Sequence, residues 1–416
     1  MKVLKVGTDF SGIGSPEEAL TELKNEGFLD FESEFACEID KYARLSHQEL
    51  HDSKVMYEDI TKRNHSEVPQ LDLYVAGFPC QAFSIAGKQL GFEDVRGTLF
   101  FNVADFIREN QPKTFVLENV KGLLSHEKGK TFRTIIDLLS NGGGTVNGQM
   151  SLDFFDDGLG YHIHYRVLNT KEHGIPQNRE RIFIVGFKES KDYGFPVKEP
   201  LKLRLKDLLE EEVEDKYFLS DKAINSIILN EENLQKSSLN PEIAATIQCP
   251  GNSCGTYKGM NAISVKANTK KGFEEAKEGD SINYSVPTSK TRRVRVGKQV
   301  AQTLDTACNM GVVIGAMRGR NPKNPKSRKS GLETVQMLEI NENGTSNCLT
   351  SVQKDNLVVT DRIRRLLPIE CWRLQGFSDE SFYKAEKVNS DTQLYKQAGN
   401  SITVDVIKKI IKNIYK

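Results

Sequence analysis

The sequence predicts an α/β fold: a doubly wound, mostly parallel sheet, with a smaller and mostly β domain inserted before a C-terminal segment. Three observations predict it. Short apolar runs recur through the first half, each closed by a turn: "KVLKVGTDF", "SEFACEID", "DLYVAGFPC", "KTFVLENV", "YHIHYRVLN" and "RIFIVGF". Several are continuous rather than alternating, as in strands buried on both faces. Helical stretches such as "TLFFNVADFIREN" and "TFRTIIDLLSN" lie between them. From about Lys188 the character changes to an acidic run, "LEEEVED", and then to polar sequence rich in Gly, Asn and Ser with short β-like runs. In a doubly wound sheet, ligands sit at the carboxyl ends of the strands, so the strand ends are where chemistry is expected.

The first strand end reads "VGTDFSGIGSPEEAL". Gly12 and Gly14 let backbone approach a ligand closely, and a helix N-terminus is electropositive. Ser15 is read as the N-cap, with Pro16 at the first helical position and Glu17 and Glu18 in the first turn. Many βα turns share this pattern without binding anything. The second strand ends in "ACEID", with Glu38 and Asp40, and "YEDI" follows with Asp59 and Ile60. An acid at such a position takes ribose hydroxyls in nucleotide-binding folds. Each acid alone reads as an ordinary surface residue; in order after successive strands they outline an adenosine-type pocket.

"LYVAGFPC" ends a strand in Gly77-Phe78-Pro79 and then presents Cys80. Gly and Pro punctuate the chain, which places the thiol on a loop at the sheet edge. A thiolate is a strong nucleophile, and a helix N-terminus or nearby cations lower its pKa. "FVLENV" puts Glu118 at another strand end, where it would serve as a general acid or, alone, as a cap for the next helix. "QNRERIF" offers Arg179 and Arg181, suited to holding carboxylates in fixed geometry.

Composition narrows the class. The 416 residues suit two domains, and 57 basic residues balance 57 acidic ones. The balance is global but not local: eleven Lys/Arg stand against one acid between Lys290 and Lys329, and six acids fall between Asp207 and Asp215. The basic block suits phosphate contact, or else a solvated loop. Seven cysteines are scattered with no CxxC pair, so no metal site is expected. No apolar run would span a bilayer. The first residues carry no signal-peptide pattern, and a cytoplasmic protein is expected. In the middle, "IAATIQCPGNSCG…NAISV", "VAQTLDTACNMGVVI" and "TSNCLTSVQKDNLVV" are loosely alike, either as related strand-loop-strand units or by chance. An amphipathic terminal helix is expected after Ser401.

In order along the chain stand "DFSGIG", "CEID", "GFPCQAFS", "RGTLFFNV", "ENVKGLL", "QNRERIF", "RRLLPIECWRLQGF" and "QAGNSI". With these the chain resembles the DNA (cytosine-5-)-methyltransferases of the bacterial and phage type. The resemblance covers roughly residues 3–187 and 362–416. It implies an S-adenosylmethionine-dependent, Rossmann-like catalytic domain over 1–187, a target recognition domain over 188–360 and a returning segment over 361–416. It implies S-adenosyl-L-methionine as cofactor, held by Phe10, Ser11, Gly12, Ile13, Gly14, Glu38, Ile39, Asp59, Ile60, Gly77, Pro79, Leu99, Asn400 and Ser401. Cys80 would be the nucleophile toward cytosine C6 and Glu118 the group at N3. Arg179 would hold the base or Glu118, with Arg181 as the weaker candidate for that role. The loop after Cys80, with hinges at Gly87, Gly91 and Gly97, would close over a flipped base.

Double-stranded DNA is the expected partner, met by Gln81, Ser84, Arg292, Arg293, Arg295, Arg318 and Arg320. A cognate restriction endonuclease is a further candidate partner, and the protein is expected to act as a monomer. Three rivals stand beside this reading. A tRNA cytosine-5 methyltransferase would carry a short recognition segment with a Cys-Phe-Thr motif, which is absent. A silent DNA-binding relative would not need Cys80, Glu118 and Arg179 together. A cysteine hydrolase needs a positioned histidine, and none of the seven sits in a partner motif.

Overall fold

The computed structural model describes residues 2–79, 99–140, 158–218, 262–267, 269, 273–277, 280–283, 295–302, 310–312, 316–320, 335–339 and 364–416. The chain divides into two compact units. One comprises 1–175, 179–202 and 371–416; the other comprises 176–178 and 203–370.

The first unit is built on seven strands: β1 (Val3–Asp9), β2 (Asp30–Cys37), β3 (Met56–Tyr57), β4 (Leu73–Ala76), β5 (Thr114–Val120), β6 (His162–Asn169) and, after the two-residue β7 (Gln177–Asn178) of the other unit, β8 (Glu180–Phe187). Their order across the sheet is β3-β2-β1-β4-β5-β8-β6. The first five strands are mutually parallel, as expected of the continuous apolar runs. β8 inserts antiparallel between β5 and β6. The short connection from β6 to β8 explains this, because a parallel return needs a longer crossover. The direction of winding reverses between β1 and β4, and that switch point is where a ligand crevice forms in such sheets.

Helices α1 (Ser15–Asn25), α2 (Lys41–Leu50), α3 (Leu99–Asn110) and α4 (Lys130–Leu139) connect the strands. α1 starts one residue earlier than its sequence suggests. Gly14 is its N-cap at φ 86°, so Ser15 is already helical and caps nothing through its side chain. The reason is packing: a Cβ on Gly14 would lie 2.2 Å from the buried His51 ring. The terminal helix Val404–Ile414 buries Val404, Val406, Ile407, Ile410, Ile411 and Ile414 along one face, and it packs on α1. Lys408 and Lys412 pair across that contact with Glu22 and Glu26.

Under the carboxyl edge of β1 lies a buried polar knot. Asp9 accepts both ends of the Arg63 guanidinium fork at 2.6 and 2.7 Å, and the Tyr74 hydroxyl donates to it at 2.6 Å. Arg63 lies over the rings of Phe35 and Phe106 at 4.3 and 4.5 Å. A fully buried pair is tolerable when its opposite charges meet in this way, here with only the Arg63 Nε left without a hydrogen-bond partner, and removing one member costs about 3–5 kcal/mol. It anchors the strand end from which the first loop of the site departs.

The second unit is β-rich. Ser281–Asn283 pairs antiparallel with both Arg295–Gly297 and Met310–Val312, and the latter pairs with Arg364–Arg365. Two-stranded ladders join Ala262–Lys266 to Phe273–Lys277 and Ala316–Arg320 to Val335–Glu339. Buried Arg364 is held by Glu370 through two bonds of 2.8 Å. Of the three loosely alike stretches, the third lies outside the described residues, as does most of the first. The second contributes strands Ala301–Gln302 and Met310–Val312. Among the described residues no helix is long and apolar enough to cross a membrane.

Candidate active site

A small, partly open cleft lies at the switch point of the first unit. Its walls come from three places. The end of β1, the loop after it and the start of α1 supply Asp9, Phe10, Ser11, Gly12, Ser15 and Pro16; the ends of β4 and β5 supply Val75, Gly77 and Glu118; the C-terminal segment supplies Asn400, Ser401 and Ile402. Phe10, at φ 54°, is in the left-handed region that non-glycine residues rarely enter. Gly12 and Gly14 share that region, so the loop turns tightly and presents backbone N–H groups.

Glu38 lies just past β2 and reaches across to this loop. Its carboxylate accepts the Gly12 N–H at 2.9 Å and the Asp40 N–H at 2.8 Å. Burial raises its pKa, and these two donors oppose the rise. A carboxylate offers about four lone-pair positions, so two acceptor positions remain for hydroxyls. Ile39 beside it is 74% exposed. Asp59 accepts from the Thr61 N–H and hydroxyl at 2.9 and 2.7 Å, while Ile60 is buried. Leu99 opens α3 and packs, like Phe10 and Tyr57, against the core cluster that contains Ile60.

The other half of the cleft is set by β4, β5 and β8. Parallel pairing of Ala76 with Leu117 brings Gly77 level with Glu118; a Cβ on Gly77 would lie 3.7 Å from Glu118 Oε2. Glu118 is buried, and Arg181 Nε lies 3.0 Å from its Oε1. The contact is an ion pair rather than an aligned hydrogen bond. Burial pushes the Glu118 pKa up, while the cations of Arg181 and Arg179 pull it down. Arg181 therefore stands on the carboxylate. Arg179, also buried, donates to the backbone carbonyls of Gly399 at 3.3 Å and Ser401 at 2.8 Å. It holds the C-terminal wall.

The cleft thus brings together Phe10, Ser11, Gly12, Gly77, Glu118, Asn400 and Ser401. Glu38 joins them through Gly12. Ile13 is buried behind the loop, Pro79 is exposed at the strand end, and Ile39, Asp59, Ile60 and Leu99 stand outside the lining. Cys80, Gln81, Ser84, Gly87, Gly91, Gly97, Arg292 and Arg293 lie outside the described residues. Arg295 is exposed at the start of its strand, and Arg318 and Arg320 fall on Ala316–Arg320.

Three further site residues, Asp9, Asn119 and Ile402, fall within the sequence motifs, but their roles are not legible there. Asn119 donates to the Phe78 carbonyl at 2.9 Å, which pins the Gly-Phe-Pro turn beside Glu118 two residues before Cys80. Ile402 and Asp9 line the cleft. The Asn119 side chain follows Glu118 directly, and its polar character on a buried strand is the one hint available.

The family model for C-5 cytosine-specific DNA methylase matches residues 5–416. The orphan methyltransferase M.SPRI of Bacillus phage SPR is 34% identical over 100% of this chain and 98% of its own length. The type II methyltransferase M.BanI of Aneurinibacillus aneurinilyticus is 31% identical over 98% of this chain and 94% of its own. Among solved structures, the Dnmt2 methyltransferase of S. pombe matches with a TM-score of 0.52 at 15% identity, over 98% of this chain and 97% of that one. The chain belongs to the C-5 cytosine-specific DNA methylase family and is a DNA (cytosine-5-)-methyltransferase.

Proposed function

We propose that this enzyme methylates C5 of a cytosine flipped out of a specific double-stranded DNA sequence, with S-adenosyl-L-methionine as donor. The single observation that carries the reading is Glu118, buried at the switch-point cleft against Arg181 and level with the strand end that leads into Cys80.

The residues fit the cofactor. Glu38 keeps two acceptor positions for ribose hydroxyls; the Phe10–Gly12 loop and Asn400–Ser401 line the cleft around them. Ile39, Asp59, Ile60 and Leu99 form the adenine side, and Ile13, Gly14, Gly77 and Pro79 shape the remaining walls. When bound, the cofactor supplies an electrophilic methyl group to C5.

Cytosine C5 is too weak a nucleophile unaided. The Cys80 thiolate adds to C6, forming a C–S bond as the ring's C5–C6 π electrons shift toward C5. Glu118 in its protonated form donates to N3 and stabilises the charge that addition places on the ring. Burial favours that protonated form. Arg181 orients the carboxyl group, and Arg179 fixes the wall formed by Gly399–Ser401. After alkylation, loss of the C5 proton to a base restores the double bond and expels Cys80. Flipping costs a few kcal/mol, which contacts from Gln81 and Ser84 offset.

Residues 188–360 serve as the target recognition domain. Arg292, Arg293, Arg295, Arg318 and Arg320 reach DNA, with arginines suited to guanine edges and lysines to phosphates. The enzyme works as a monomer in the cytoplasm and protects phage or host DNA, alone or beside a cognate restriction endonuclease.

The test is methyl transfer from labelled S-adenosylmethionine to mixed-sequence unmethylated DNA, with Cys80→Ser in parallel and base-resolution mapping. Label at cytosine C5 within one short motif, lost in Cys80→Ser, supports the reading. Label on tRNA alone would replace it. Substituting Arg292, Arg293 and Arg295 together should weaken DNA binding and leave cofactor binding intact; unchanged DNA affinity would remove those residues from the interface.

A further inference from the structure

The turn that presents Glu38 and Ile39 and the turn that presents Asp59 and Ile60 leave adjacent strands. β2 and β3 pair over only two residues each, Ala36 with Met56 and Cys37 with Tyr57. The ladder closes with the Glu38 N–H donating to the Tyr57 carbonyl at 3.0 Å. Beyond that bond one side chain continues the connection. Arg44 donates through Nη1 to the carbonyls of Glu38 at 2.8 Å and Ile39 at 2.9 Å, and through Nη2 to Glu58 Oε1 at 3.0 Å.

Each feature of this contact suits a spacer. Arg44 sits on the first turns of α2, where side chains lean back toward the helix N-terminus. α2 is itself fixed there, because Asp40 caps it by accepting the Tyr42 and Ala43 N–H groups. The guanidinium is planar and always charged, so its three bonds hold the two turns at one separation. Arg44 is largely buried in the contact, while Glu58 is exposed. The Glu38 carbonyl is bonded to the Cα that carries the Glu38 side chain, and the Ile39 carbonyl is one residue further on, so holding both fixes the turn from which that carboxylate reaches Gly12. Glu58 immediately precedes Asp59.

We infer that Arg44 is a positioning residue for the cofactor: it sets the width of the adenosine pocket by tying the ribose-side turn to the adenine-side turn. This rests on the proposed placement of adenosine between Glu38 and Asp59. Arg44 touches no reacting atom, so its effect falls on cofactor affinity and not on chemistry at saturation.

The experiment compares Arg44→Met, Arg44→Lys, Glu58→Gln and Glu38→Ala in the full-length enzyme. It measures KM for S-adenosylmethionine, KM for DNA, kcat, and binding of S-adenosylhomocysteine by calorimetry. Charge-assisted hydrogen bonds are worth enough that Arg44→Met should weaken cofactor binding by about tenfold, with kcat and the KM for DNA unchanged. Arg44→Lys should recover part of the loss, since an ammonium reaches the carbonyls but lacks the fork; Glu58→Gln should lose less than Arg44→Met. If Glu38→Ala weakens cofactor binding and Arg44→Met and Glu58→Gln do not, the spacer role is wrong and the pocket stands. If Arg44→Met depresses kcat, DNA affinity and cofactor affinity together while Glu58→Gln changes nothing, the residue is merely structural. If Glu38→Ala leaves cofactor binding intact, the pocket assignment fails and the inference falls with it.

Discussion

Glu38 and Glu118 end two strands of the same sheet, and the protein treats them in opposite ways. Glu38 is met by two backbone N–H donors and remains only partly buried. Glu118 is buried, and a cation stands beside it without an aligned hydrogen bond. The first arrangement binds: its donors are paid for in the fold and do not change when a ligand arrives. The second is poised, because an incompletely satisfied buried carboxyl group is free to exchange a proton with something that enters. On the proposed mechanism, one cleft thus has a half that holds and a half that reacts.

The strongest challenge to this division is Glu118→Gln. It should slow methyl transfer by about 10²–10⁴-fold and leave S-adenosylhomocysteine affinity unchanged; a parallel loss of affinity would mean that the two halves are not separable. The two arginines sharpen it further. On the proposed mechanism protonated Glu118 is the active form, so activity should fall as pH rises through its raised pKa. Arg181→Ala removes the principal cation pulling that pKa down, and should lower kcat while moving the alkaline limb of a pH–rate profile to higher pH. Arg179→Ala should instead raise KM for the cofactor, because its bonds go to the Gly399 and Ser401 carbonyls.

Glu17 tests whether the holding half carries a stability cost. It is buried with Thr8 Oγ1 at 2.5 Å, and burial raises its pKa from 4.5 to about 7. The folded state therefore binds more protons than the unfolded state between those values, and stability should fall as pH rises through that window. Glu17→Gln should abolish this dependence and be more stable than wild type above pH 7 by up to about 3 kcal/mol, measured by denaturant unfolding across pH. The smallest expected effect is at Ile39. Being 74% exposed, it contributes little to folding, and Ile39→Ser should raise cofactor KM a few-fold, about what a partly covered side chain is worth, with no shift in Tm.

Much of the sheet was legible because continuous apolar runs ending in Gly, Asp or Glu mark buried strands and their carboxyl edges. The positions of Glu38, Gly77 and Glu118 along that edge follow from strand ends alone. The roles of the two arginines were not legible. They stand two residues apart on one strand approach, and only the backbone route decides that Arg181 meets Glu118 while Arg179 meets the C-terminal wall. The Asp9–Arg63–Tyr74 knot was hidden for a related reason: its partners are separated by 54 and 65 residues, and nothing local marks them. Ser15 misled because a Ser before Pro and two acids is a strong cap signal, yet the contact of Gly14 with His51 decides where α1 begins.

The C-terminal wall has a consequence for how the enzyme is made. Gln397 bonds Ser46 across 351 positions of sequence, and the intervening residues include the whole of the second unit. During synthesis β1 to β5 emerge long before the helix Asp391–Asn400 that completes their cleft. Contacts of such separation form late, after loop closure has been achieved. The nascent first unit therefore waits with an open seam, and the cleft is completed late in folding rather than early.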